Sequence, residues 1–140
     1  MAIPPGQPNK ANRVVAACLD GKRLKGYVFN FSALRDSFRL FPEENAPQHS
    51  GTDIELVTVK AIFFVKDFAG DPERKDASDP VVFAHGRKLE ITFHDGEKVT
   101  GTTEAYNPAK AGFFVFPADK ESNNSRIFIV ARNARQVKLL

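Results

Sequence analysis

One pattern of punctuation occurs twice in this chain, at a constant offset. Asp20-Gly21, Gly26, Phe38 and Phe41-Pro42 return in the second half as Asp95-Gly96, Gly101, Phe113 and Phe116-Pro117. The same register pairs Ile54 with Ile129, Val59 with Ala134, Ile62 with Val137 and Phe64 with Leu139. A chain of 140 residues that spells one pattern twice has room for two very small modules. A module of about 53 residues is at the size where a single core is marginal, so the two are expected to share an apolar interface. The boundaries read as a mobile tail at 1–12, a first module at 13–65, a connector at 66–86 and a second module at 87–140.

Inside each module the apolar residues recur with period two. Leu89, Ile91 and Phe93 alternate with Glu90, Thr92 and His94, the pattern of a half-buried strand. The matching residues Val14, Ala16 and Cys18 have apolar neighbours in Val15, Ala17 and Leu19, so this strand should be covered on both faces, the second by the other module. Asp20-Gly21 and Asp95-Gly96 each stand between two strand patterns, a strong hairpin signal because the turn needs positive φ. The second strands are expected over 23–31 and 98–106, with Gly26 and Gly101 inside them at a bulge or sharp bend. Third strands at 38–41 and 113–116 stop at a proline, which cannot donate to a ladder. Fourth strands at 54–57 and 126–131, a short turn, and last strands at 62–65 and 137–140 complete five per module. The fold class is therefore all-β, as two tandem five-stranded small barrels related by a pseudo-two-fold. The connector carries Asp71-Pro72, Asp79-Pro80 and an apolar island at Val81-Val82-Phe83, and reads as a surface loop.

Composition removes several classes. The single Cys18 has no partner for an internal disulfide or a cysteine metal pair, and reads as a buried, inert thiol. No apolar run approaches the roughly 18 to 20 residues that span a bilayer, and the N-terminal residues lack a secretory pattern, so a cytoplasmic location without membrane contact is expected. The net charge is +1 over 13–65, −2 over 66–86 and +3 over 87–140, which makes the second module the more basic. His49, His85 and His94 have no ligand-like spacing, the carboxylates sit at turns, and no glycine-rich phosphate loop is present. We expect no enzyme, no cofactor and no metal.

A five-stranded module with an Asp-Gly hairpin, a glycine-bent second strand and a short closing turn resembles the Sm-like barrel of the Sm, LSm and Hfq proteins. The family's first motif is matched by Val14 to Gly21, Leu24, Gly26 and Phe31, and by Leu89 to Gly96, Val99, Gly101 and Tyr106. Its RNA-facing Asp falls on Ser32 and Asn107, its Asn on Asp36 and Ala111, and its Arg-Gly is only echoed by Arg132-Asn133 and Thr58-Val59. The barrel-forming positions match and the nucleotide-binding positions largely depart. The layout also resembles a bacterial conserved family with no assigned function.

What the resemblance implies is a non-catalytic binding or scaffolding protein, with single-stranded RNA as the concrete ligand and oligomers built by sheet-edge pairing with itself or other proteins. The candidate nucleic-acid residues are Arg126, Arg132, Arg135 and Lys138 around the final turn, with Tyr106 and Asn107 at the loop edge. Each has a plainer reading. The four cations also suit a solvated hairpin end, and Phe29, Phe31 and Tyr106 suit the core as well as a stacking platform. The alternative from another class is a small-ligand sensor with its site between the two modules.

Overall fold

The computed structural model describes residues 11–69, 86–104, 106–107, 109–119 and 121–140. Its first half contains β1 (Asn12–Cys18), β2 (Arg23–Val28), β3 (Ser37–Leu40), β4 (Thr52–Glu55) and β5 (Val59–Val65). Its second half contains β6 (Arg87–Phe93), β7 (Lys98–Thr103), β8 (Gly112–Pro117), β9 (Asn124–Val130) and β10 (Ala134–Leu139). Short 3-10 turns at Leu56–Thr58 and Ala131–Asn133 precede β5 and β10.

The chain is all-β, and its main sheet is antiparallel with the order β10-β6-β7-β8-β9-β5-β1-β2. A separate two-stranded sheet, β3-β4, is tied to β2 by a single bridge between Tyr27 and Phe41. Among the described residues neither sheet closes on itself, so one long open sheet with a short annex stands where a pair of barrels was expected. Several strand ends also differ from expectation. Asn30 has φ 53° and breaks the second strand, so β2 ends at Val28. The 3-10 turns come earlier than expected, which lets β5 begin at Val59 and β10 at Ala134. Pro117 is the final residue of β8 and is not left outside it. The tail at 1–10, both Asp-Pro pairs, the Val81-Val82-Phe83 island and His85 lie outside the described residues.

The halves meet where β5 pairs with β9, with Ala61 opposite Ile129, Ile62 opposite Phe128 and Phe63 opposite Ile127. Strands β1, β5 and β9 are buried on both faces. Val15, Ala17, Ala61, Phe63, Ile127 and Ile129 point into one apolar cluster with Leu89, Ile91 and Phe93. Val14, Ala16, Ile62, Phe64, Phe128 and Val130 point into a second cluster with Val28 and Phe38. The double-sided apolar pattern of the first strand thus has its cause: one face serves each core.

Local geometry recurs at the offset of the sequence repeat. Gly21 and Gly96 have φ 93° and 91°, and Asp20 and Asp95 each accept a bond on Oδ1 from the backbone N–H two residues on, at 2.9 and 3.0 Å. Leu56 N–H donates to Asp36 O at 2.9 Å, and Ala131 N–H donates to Ala111 O at 3.0 Å. The strand glycines are set by a close approach: a Cβ on Gly26 would lie 2.6 Å from Phe41 O, and one on Gly101 would lie 2.1 Å from Phe116 O.

Candidate functional site

The seam is more than apolar. Lys60 lies on β5 with its side chain 8% exposed, and its Nζ reaches Asp95 Oδ2 at 2.7 Å and Glu97 Oε1 at 2.6 Å on the β6–β7 hairpin. The ammonium also sits 4.9 Å from the centre of the Phe93 ring. Burial pulls the Lys60 pKa down, but the bonds from Asp95 and Glu97 outweigh it and the net shift is upward. Asn133 adds a polar tie, its Nδ2 donating to Val57 O at 3.1 Å and Val59 O at 2.8 Å. Lys60 does not stand out in the sequence, because a lone lysine in a strand pattern carries no local signal of a distant partner, and Asn133 stands out only in the Arg132-Asn133 echo.

Three of the six nucleic-acid candidates have contacts within the protein. Arg126 is half-buried near the start of β9, its guanidinium carbon 4.4 Å from the ring centres of both Phe64 and Phe114, and burial lowers its pKa. Tyr106 packs edge-on against Phe113 at 4.9 Å. Asn107 shapes its own loop, accepting from Ala109 N–H on Oδ1 at 2.9 Å and from Lys110 N–H on its carbonyl at 3.0 Å.

The other three, Arg132, Arg135 and Lys138, are exposed on the turn and strand that end the chain, at the opposite end of β9 from Arg126. Arg135 falls at the bulge between Ala134 and Gln136, and Lys138 is opposite Glu90. Among the described residues strand β10 pairs only with β6, which leaves its other edge open there. The opposite terminus of the strand series is β4, which among the described residues pairs only with β3 and carries Asp53 and Glu55. Asp53 is bound by Arg39, with Nε to Oδ1 at 3.0 Å.

Two grooves flank the seam. One of about 630 Å³ lies in the first half, lined by residues that include Phe29, Arg35, Ser37, Phe38, Arg39 and Phe41. The other, about 460 Å³, lies in the second half, where Glu104, Lys110, Gly112, Phe113, Phe114 and Phe116 occupy the equivalent places of the repeat. Ala33 and Leu34 of the first half also line this second groove, so it lies between the halves, where a small-ligand site was expected. Of the three histidines, His49 and His94 lie among the described residues, in which no group of three or more His, Cys, Asp or Glu is placed to hold a metal ion. Cys18 is half-buried, and burial raises its pKa. No helix among the described residues is long and apolar enough to cross a membrane.

No curated protein and no solved structure matches the chain. A model described as a family of unknown function (DUF6982) matches residues 10–140, nearly the whole length, and the chain belongs to that family.

Proposed function

We propose that the protein is a non-catalytic scaffold of the Sm-like kind, made of two fused copies of one five-stranded module and working by sheet-edge pairing. The observation that carries this reading is the β5–β9 ladder, which joins the last strand of one half to the fourth strand of the other. The recurrence of turns, loop hydrogen bonds and glycine approaches at one constant offset supports treating the halves as copies. On that reading, open β10 is the counterpart of β5, and open β4 is the counterpart of β9. Moving the β5–β9 register onto them sets Gln136 opposite Ile54 and Val137 opposite Asp53, and extending it by one residue, past the last pair of that ladder, sets Arg135 opposite Glu55.

Charged residues on an edge strand ordinarily block unwanted pairing. Here the charges on the two edges have opposite sign, so β10 against β10 and β4 against β4 are disfavoured while β10 against β4 is favoured. Such a contact is head to tail and builds a ring or a filament. Light scattering on a concentration series should give masses that are multiples of 15.5 kDa. A single 15.5 kDa species at every concentration would overturn the reading.

A second reading, binding of single-stranded RNA, is favoured by the exposure of Arg132, Arg135 and Lys138 on one segment. Fluorescence anisotropy with U-rich and A-rich RNA at low and moderate salt tests it. Salt-dependent binding supports it and flat curves at low salt sink it. The seam groove leaves a small-ligand role to be tested by a rise in melting temperature on ligand addition.

A further inference from the structure

We infer that the first-half groove is an incomplete site, and that another copy of this chain completes it with its β7–β8 loop, through Asn107, Ala109 and Lys110. The inference rests on the edge-pairing reading above and adds a second, separate contact to it.

The walls of the two grooves correspond in part at the same sequence offset, Phe29 with Glu104, Arg35 with Lys110, Phe38 with Phe113 and Phe41 with Phe116. They differ in one respect that sequence position does not explain. The second-half groove has a wall from the other half, Ala33 and Leu34, because β5–β9 pairing brings the β2–β3 loop of the first half alongside β8. Among the described residues the first-half groove is lined only by its own half, and it is the larger of the two, about 630 Å³ against 460 Å³. No second half sits on β4 to narrow it.

The loop needed for the missing wall is present on the far side of the same chain. In the first half, Leu34 N–H donates to Ser32 Oγ at 3.2 Å and Arg35 N–H donates to Ser32 O at 3.4 Å. In the second half, Ala109 N–H donates to Asn107 Oδ1 at 2.9 Å and Lys110 N–H donates to Asn107 O at 3.0 Å. The same turn is built in both places with a different polar anchor, so the second half presents the shape that forms a wall in the first. If β10 pairs with β4 of a neighbour as β5 pairs with β9, this loop falls where Ala33 and Leu34 fall in the seam groove. The first-half groove is also the more polar, with Ser37 and Arg39 where its counterpart has Gly112 and Phe114. A surface that is wet in the free chain and covered in the assembly needs that composition, and it favours reversible contact over permanent fusion.

The test uses full-length chains with Cys18→Ser, which leaves no native thiol. One chain carries Ala109→Cys, and a second, distinguishable by a tag, carries Arg35→Cys. A short bis-maleimide should give a mixed cross-linked dimer only when both chains are present, and that band should be lost when Arg135→Glu is added to the Ala109→Cys chain. Multimers by light scattering without the 109-to-35 cross-link would overturn the groove contact and leave edge pairing intact. Monomers at every concentration, with no cross-link, would overturn both.

Discussion

Lys60 Nζ lies 2.7 Å from Asp95 Oδ2, across the seam between the two halves, and it is the ammonium and not the carboxylate that is buried. The asymmetry predicts what breaking the contact does. Lys60→Met keeps the aliphatic stem against Phe93, removes the buried charge and leaves two carboxylates that still reach water. It should cost about 1 kcal/mol in chemical denaturation. Neutralising both partners, Asp95→Asn with Glu97→Gln, strands the ammonium inside and should cost more than Lys60→Met. Equal losses for the two variants would show that the charge pairing is incidental.

The same contact predicts a pH dependence. The Lys60 hydrogen bond, helped by the Glu97 backbone N–H, holds the Asp95 carboxyl below the usual carboxylate range. Its stabilisation is therefore full above the unfolded value of about 3.9 and is lost as pH falls through the lower folded value. Lys60 is shifted upward, so its stabilisation is full below the unfolded value of about 10.4 and is lost as pH rises through the higher folded value. Urea midpoints should be level between these limits. The acid decline of Lys60→Met should be shallower than that of the native chain, and identical acid limbs would refute the assignment.

What was readable in the sequence was local. The Asp20-Gly21 and Asp95-Gly96 turns were legible because the chemistry that makes them, positive φ beside a side-chain cap, is confined to adjacent positions of the chain. The double burial of β1 was legible because Val15 and Ala17 are apolar where a half-exposed strand would be polar. Contacts between distant residues were not. Lys60 and Asp95 are 35 positions apart, and nothing in either neighbourhood names the other. Arg126 reads as one more cation of a basic cluster until the fold sets it over the rings of Phe64 and Phe114. The open sheet was hidden too, since glycines and alternating residues mark strands and bends but not whether the ends meet.

Gly101→Ala should be among the most damaging small substitutions in the chain. The new Cβ meets Phe116 O at 2.1 Å and Val115 Cγ1 at 2.7 Å, so backbone has to move. At Gly26 the nearest contact is Phe41 O at 2.6 Å, and the other two are flexible Leu40 atoms, so part of the strain is relieved by a side chain. Thermal denaturation should rank Gly101→Ala below Gly26→Ala, with a loss of about 3 kcal/mol for the former. The reverse order would contradict the close approach of β8 to β7.

Arg126 should behave as a structural residue. Arg126→Lys keeps the charge but loses the flat guanidinium over the Phe64 and Phe114 rings, with an expected cost of about 1 kcal/mol. If the protein binds RNA at all, affinity measured on the folded variant should be unchanged by Arg126→Lys and reduced by Arg132→Ala or Arg135→Ala. A drop in affinity with no change in stability would place Arg126 in the binding face.

A charge swap separates edge pairing from nonspecific association. Arg135→Glu sets two carboxylates opposite one another in the β5–β9 register extended by one residue and should shift light-scattering masses to that of the monomer. Glu55→Arg alone should do the same by setting two cations together. The chain carrying both changes restores opposite charges in every β10–β4 contact and should reassemble, because like charges directly opposite are destabilising and unlike charges are not. Failure of the double variant to reassemble, when each single variant remains folded and monomeric, would rule out the Arg135–Glu55 register. Assembly that ignores all three changes would mean that the copies associate through a different surface.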